Sequence, residues 1–219
     1  MTIYKTFLIA GISTILLSCN NDSMNKAGTD SPAHAAHQET DSHTKNRNEM
    51  NPVTETMEKM MHEMHQARPT GNNDVDFAVM MLEHHKWAVE MSKVEAAQGN
   101  DPEMRSFAKK VIDDQNKEIE FMQDFISKAP KNTSANAADF QKALNASMAA
   151  MMGDNTAIFN DIDKDFAAQM IPHHQSAVDM AEAYLTYGGE TSLKSLCENI
   201  ISSQTGEITL LRQWLAKNK

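Results

Sequence analysis

Residues 76–91 read DFAVMMLEHHKWAVEM, and residues 165–180 read DFAAQMIPHHQSAVDM. Nine of the sixteen aligned positions are identical, and both stretches contain the pattern Met-x-x-His-His. The same offset of 89 residues places Glu118 on Glu207. Self-similarity at a single offset indicates that one supersecondary unit has been duplicated within the chain.

Each copy has the periodicity of an α-helix. In the first copy Phe77, Met81 and His84 begin a series of inward positions at spacings of three and four residues. This pattern predicts a long helix over residues 74–97. Gly99-Asn100 then ends it, and Asp101-Pro102 supplies an N-cap with proline at the first helical position, so a second helix is predicted to about residue 128.

The second copy repeats this plan, with Gly188-Gly189 between its two helices. A helical hairpin with one apolar face cannot bury that face alone, so the two hairpins are predicted to form an all-α four-helix bundle. Shorter Met-rich helices are expected to cover its ends or sides. The duplicated domain spans residues 53–219, with repeat one at 53–128 and repeat two at 138–217.

The N-terminus predicts export and lipid attachment. Residues 6–17 form a mainly apolar run that is too short to favour a membrane span, and Ser18-Cys19 follows it. This resembles a bacterial lipoprotein signal over residues 1–18, which implies cleavage before Cys19 and a lipid on its thiol. We therefore expect a lipid-anchored protein of the bacterial cell envelope, periplasmic or otherwise outward-facing.

The charge and composition of the chain limit the classes of ligand that it could bind. The chain has 30 acidic and 20 basic residues and a net charge of −10, which argues against a nucleic-acid ligand and favours cations. Residues 19–52 are polar and are predicted to be a disordered tether. Its three histidines, His34, His37 and His43, either bind metal loosely or are simply solvated.

Met-x-x-His-His offers thioether and imidazole ligands on one helix. This set is soft and suits Cu(I), whereas Cu(II) or zinc could use the imidazoles with carboxylates. A di-iron site would need Glu-x-x-His, which the sequence lacks. Adjacent histidines point about 100° apart on a helix, so one of each pair is expected to face the core. The candidate metal ligands are Met81, His84, His85, Met91, Met170, His173, His174 and Met180.

Two further sets of residues accompany this motif. The Met-rich segments give additional candidate metal ligands, which otherwise are core packing: Met57, Met60, Met61, His62, Met64, His65, Met148, Met151 and Met152. The Gln and Glu residues of the second helices either orient the histidines from the second coordination shell or face water: Gln115, Glu118, Gln204 and Glu207. Cys197 lies on an apolar stripe and is expected to be a buried thiol.

At these residues the sequence resembles the family called domain of unknown function 305, DUF305. The resemblance rests on the repeated F-A-x-x-M-x-x-H-H-x-x-A-V-x-M with a downstream Gln-x-x-Glu-Ile and covers about residues 57–215. It implies a ferritin-like helical bundle and, as in periplasmic members of the family, copper binding by the doubled motif. Copy one departs from the usual pattern, since Glu83 stands where Pro172 stands in copy two.

These observations predict a membrane-anchored, extracytoplasmic protein that captures copper, as Cu(I), for tolerance or trafficking. It would lower the free copper concentration or pass the ion to a partner protein, and neither role requires enzymatic turnover. Two alternatives stay open at this point. One is a metal-dependent oxidase on the same bundle, and the other is a helical interaction lipoprotein whose Met-rich faces bind another helix.

Overall fold

The fold is all-helical, as predicted, in a computed structural model that describes residues 51–64, 68–151 and 156–219. Of the helices in those ranges, none has both the length and the apolar character needed to cross a membrane. The helices are α1 (Pro52–Met64), α2 (Asn73–Gln98), α3 (Pro102–Lys128), α4 (Ala137–Ser147), α5 (Ile162–Tyr187) and α6 (Thr191–Lys217), with a 3₁₀ turn at Met148–Ala150 after α4.

Local sequence signals set the ends of these helices. The Asn72 side chain caps α2 by accepting the backbone N–H groups of Asp74 and Val75. Asp101 caps α3 in the same way, and Pro102 occupies the first helical position, where its missing N–H costs nothing. Both helices of repeat one therefore begin and end within about one residue of the bounds that the sequence predicts.

The glycines that end α2 and α5 are required by close approach. Gly99 and Gly188 both have negative φ angles, so they are not left-handed C-caps. A Cβ atom on Gly99 would lie 2.0 Å from Glu95 Oε1, and one on Gly188 would lie 2.2 Å from the Tyr184 ring. In each repeat the side chain four residues earlier folds over the glycine, which no larger residue permits.

Helices α2 and α5 form the centre of the bundle and run antiparallel. The Phe77 ring, near the start of α2, stacks on Tyr184, near the end of α5, with centroids 4.3 Å apart. Helix α3 packs on α2, helix α6 packs on α5, and the shorter α1 and α4 each contact both central helices. Pro172 lies inside α5, which continues through it.

Each repeat also forms hydrogen bonds to the loop that joins the two long helices of the other repeat. Asp74 of α2 accepts the backbone N–H groups of Gly189 and Glu190 in the α5–α6 loop, at 2.9 and 3.2 Å. Asp163, its equivalent at the offset of 89, accepts those of Asn100 and Asp101 in the α2–α3 loop, at 3.0 and 2.8 Å. These matched pairs place the two hairpins about a pseudo-twofold axis, with the duplicated motifs facing each other across it.

Candidate metal centre

Two histidines meet at the centre of the bundle. His84 of α2 and His173 of α5 are equivalent in the two repeats, and their ring centroids lie 3.7 Å apart. Both rings are fully buried, and none of their four nitrogen atoms has a hydrogen-bond partner. Burial, followed by neighbouring imidazoles, holds the pKa of each ring well below its usual value, so both are neutral at neutral pH. Neutral imidazoles present a lone pair, which is the form that binds metal ions.

The second histidine of each pair is also buried, contrary to the expectation that only one would face inward. His85 points to α3, where its Nε2 donates to Glu118 Oε2 at 2.6 Å. His174 points to α6, and its Nε2 lies 3.0 Å from Glu207 Oε2. The expectation was wrong because a central helix of the bundle is covered on two faces, by the other repeat and by its own hairpin partner.

The hydrogen bond to Glu118 fixes the tautomer of His85, whereas Nε2 of His174 only lies close to Glu207 without a hydrogen bond. A carboxylate only accepts, so the proton of His85 stands on Nε2 and leaves Nδ1 with a free lone pair in the neutral ring. That Nδ1 is buried and has no hydrogen-bond partner, and the same holds for Nδ1 of His174. Glu118 and Glu207 thus occupy the position from which an acidic group orients a metal-binding imidazole.

The four methionines of the motif are fully buried in two clusters on either side of the histidines. One cluster contains Met81 of α2 with Met180 of α5, and the other contains Met91 of α2 with Met170 of α5. The sequence spacing pairs Met81 and Met170 with His84 and His173 along their own helices. It does not reveal the pairing across the two helices, which depends on their antiparallel packing.

Some of the additional candidates join one of these clusters. Met57, Met60 and Met151 are buried in the cluster that holds Met91 and Met170. Partly buried Met148 packs against both clusters, and its sulfur accepts from Ser176 Oγ at 3.6 Å. The remaining predictions lie outside the described residues or side chains: Cys19, the tether histidines, Met61, His62, Met64, His65 and Met152.

Three other predicted positions lie in the core. Gln115 and Gln204 are buried on α3 and α6, and the side-chain oxygen of each has no hydrogen-bond partner. Cys197 is buried as expected, and burial raises the pKa of its thiol to about 12, so it stays protonated at neutral pH.

The donor set decides which ions the site could hold. In the described part of the chain, no three His, Cys, Asp or Glu side chains converge in a metal-binding arrangement. The centre instead offers imidazole nitrogens with thioether sulfurs on both sides. Soft ions accept few ligands of this kind, whereas hard ions require several oxygen ligands. The arrangement therefore suits a soft monovalent ion better than iron, magnesium or calcium.

One charged residue near the site was not predicted. Lys110 of α3 reaches across to α6, where its Nζ lies 3.1 Å from Glu207 Oε1. Burial raises the pKa of Glu207, but the contacts with His174 and Lys110 lower it by a larger amount. The pKa of Glu207 is therefore below its usual value. Lys110 escaped the sequence argument because it has no equivalent in the other repeat, where Asn199 stands at the matching position.

Comparisons with known proteins agree with this architecture. The sequence matches the family described as Domain of unknown function (DUF305) over residues 20–126 and 74–215. No curated protein matches the chain.

Among solved structures, CopM in its Cu(I)-bound form is 32% identical over 66% of this chain and 96% of CopM, with a TM-score of 0.51. Its Cu(II)-bound form is 29% identical over 67% and 97%, with the same TM-score. A DUF305 protein from Streptomyces coelicolor is 25% identical over 68% and 95%, with a TM-score of 0.53.

Proposed function

This chain belongs to the DUF305 family, and we propose that it binds copper ions where α2 and α5 meet at the centre of the bundle. The observation that carries the proposal is the pair His84 and His173, whose four buried ring nitrogens have no hydrogen-bond partner. Buried polar atoms without partners are costly, typically about 1 to 3 kcal/mol each. A bound ion would satisfy two of these nitrogens at once, which explains why two such rings are placed together.

The ion we propose is Cu(I). Met81 and Met170 lie one turn before the central histidines and would supply thioether sulfur, which Cu(I) prefers. His85 and His174 would extend the ligand set through their free Nδ1 atoms. Met91 of α2 would add sulfur beside Met170, and Met180 of α5 would add sulfur beside Met81. The similar protein CopM has structures with Cu(I), with Cu(II) and with Ag, which support copper as the ion, and the soft donor set favours Cu(I).

The proposed cellular role is capture. A lipid on Cys19 would hold the domain at the outer face of a membrane, where the protein would lower the free copper concentration or deliver the ion to a partner. This part of the proposal rests on the N-terminal sequence and on the net charge of −10, which attracts cations. It requires binding and release but no chemical turnover.

The test is an anaerobic competition between the protein and a Cu(I) chelator of known affinity, with zinc titrated in parallel. The decisive variant carries His84→Leu and His173→Leu, which keeps the core apolar and close to its original volume. We expect the wild type to take Cu(I) from the chelator and to bind zinc far more weakly. The histidine variant should lose competitive Cu(I) uptake.

Methionine variants separate ligands from core packing. Met81→Leu with Met170→Leu removes two sulfurs of the proposed site, and Met104→Leu with Met122→Leu removes two equally buried sulfurs from α3. We expect the first pair to weaken Cu(I) binding at least tenfold and the second pair to leave it unchanged. Equal weakening by both pairs would assign the motif methionines to packing alone, and Cu(I) uptake by the histidine variant would refute the site.

A further inference from the structure

The four histidines form a continuous row across the bundle. Ring centroids are 6.3 Å apart between His85 and His84, 3.7 Å between His84 and His173, and 6.1 Å between His173 and His174. All four rings are fully buried. The row therefore runs from the α2–α3 side of the bundle, through the central pair, to the α5–α6 side.

Each end of the row reaches solvent at a carboxylate. The side chain of Glu118, next to His85, is 20% exposed, and that of Glu207, next to His174, is 14% exposed. An ion entering the buried centre must shed its water, and a partly exposed carboxylate offers it a first ligand, from which it would pass to the free Nδ1 of the neighbouring buried ring. The bundle thus has two equivalent routes by which a cation could reach the centre.

The two ends differ in charge. Lys110 lies 3.1 Å from Glu207 and 2.9 Å from Asp114, so its ammonium group stands directly at the Glu207 end. At the offset of 89 the residue equivalent to Lys110 is the uncharged Asn199. Within residues 51–64, 68–151 and 156–219, Glu118 forms an ion pair with His85 and none with a lysine or an arginine.

We infer that copper enters the central site through the Glu118 end and that Lys110 closes the Glu207 end. The inference rests on the proposed function, because it concerns the route to the proposed copper site. Lys110 contacts Asp114 as well as Glu207, and Asp114 also contacts Lys117, so two ammonium groups face two carboxylates at this end. The ammonium groups repel an approaching cation and offset the attraction of Glu207, whereas Glu118 keeps its attraction. Duplication would give two entrances, and the difference between Lys110 and Asn199 would make one of them dominant.

The inference is tested by exchanging the charge between the two ends. Lys110→Gln opens the Glu207 end, Asn199→Lys closes the Glu118 end, and the double variant reverses both. Association is followed by stopped-flow tryptophan fluorescence, because Trp87 lies two residues from His85. The purified full-length protein is mixed with Ag(I), which needs no reductant, and equilibrium Cu(I) competition is measured on the same samples.

The expected rates follow from two parallel routes. Opening a second, equal entrance should about double the association rate, and closing the first should lower it at least threefold. The double variant should recover the wild-type rate through the other end. Adding Glu207→Gln to the double variant should slow association, because its open entrance is at Glu207. In the wild type, Glu118→Gln should slow association instead. In Lys110→Gln, Asn199→Lys and the double variant, dissociation should change by the same factor as association, so the Kd stays nearly constant.

Lys109→Gln is the matched control. It removes the same charge from an exposed position next to Lys110 and should leave the rate within experimental error of the wild type. Equal rates in wild type, Lys110→Gln and Asn199→Lys, with normal copper binding, would overturn this inference alone. Failure of the wild-type protein to bind Cu(I) or Ag(I) at all would overturn the proposed function as well, so the two failures are distinguishable.

Discussion

Glu95 is expected to make the stability of this protein depend on pH. It is fully buried near the end of α2, its two carboxylate oxygens have no hydrogen-bond partner, and the negative charge of Asp163 of α5 acts on it. In the other repeat the equivalent residue is Tyr184, whose hydroxyl donates to Asp74 at 2.5 Å. A carboxylate only accepts hydrogen bonds. Glu95 can therefore donate a hydrogen bond to an aspartate, as the Tyr184 hydroxyl does, only while it is protonated.

The magnitude follows from the pKa. Burial, followed by the negative charge of Asp163, raises the pKa of Glu95 from 4.5 to about 8. The unfolded chain releases this proton near pH 4.5 and the folded chain near pH 8, so the folded state binds more protons between these values. The free energy of unfolding therefore falls as pH rises through this window, by at most about 1.4 kcal/mol per unit. From pH 5 to pH 7 the loss is about 2 to 3 kcal/mol.

Urea unfolding followed by circular dichroism at pH 5, 6, 7 and 8 measures this loss. In Glu95→Gln the amide is neutral at every pH, so the difference in unfolding free energy between variant and wild type should rise with pH. Tyr184→Phe is the control, and it should cost about 1 kcal/mol equally at each pH, since burial raises the pKa of Tyr184 above its usual value. Parallel pH profiles for wild type and Glu95→Gln would refute the reasoning.

Two other predictions concern stability. His84→Leu with His173→Leu should raise the free energy of unfolding of the metal-free protein by about 1 to 3 kcal/mol in urea titrations, because it removes buried polar atoms that have no partner; a loss of stability would show that the rings are satisfied without metal. Gly188→Ala should cost about 1 to 3 kcal/mol, because its methyl group meets the Tyr184 ring at 2.2 Å. Gly206→Ala, where the added methyl has nothing within 4 Å, should instead stabilise α6 by about 0.5 to 1 kcal/mol, and equal effects of the two substitutions would contradict the close-approach argument.

Much of the fold could be predicted because the signals that set it are local. The duplicated motif, the three-four spacing and the capping residues Asp101 and Pro102 depend only on neighbours in sequence, and the helices follow them closely. The role of Gly99 could not be predicted in this way. Its position at a helix end suggested an ordinary break, and only the packing of Glu95 over it shows why a side chain is excluded.

The site was predictable in its residue types but not in its arrangement. Spacing alone places Met81 beside His84 on one helix, and it says nothing about what faces them from α5. It also led to the expectation that one histidine of each pair would face the core, because a single helix does not show that its hairpin partner covers a second face. Lys110 was missed for a related reason, since its contact with Glu207 joins helices of different repeats.

The pattern of identity between the repeats has a physical explanation. The proposed site on the pseudo-twofold axis would take each ligand from both copies, so His84 and His173 would serve one centre, and a change in either would damage the whole. Positions away from the axis serve one end only and are free to diverge. Tyr184 stands where the other repeat has Glu95, beside the aspartate that binds the loop of the opposite repeat. Lys110 lies at only one end of the histidine row. Duplication therefore explains both the shared centre and the unlike ends, and the unlike ends give a symmetric bundle a direction.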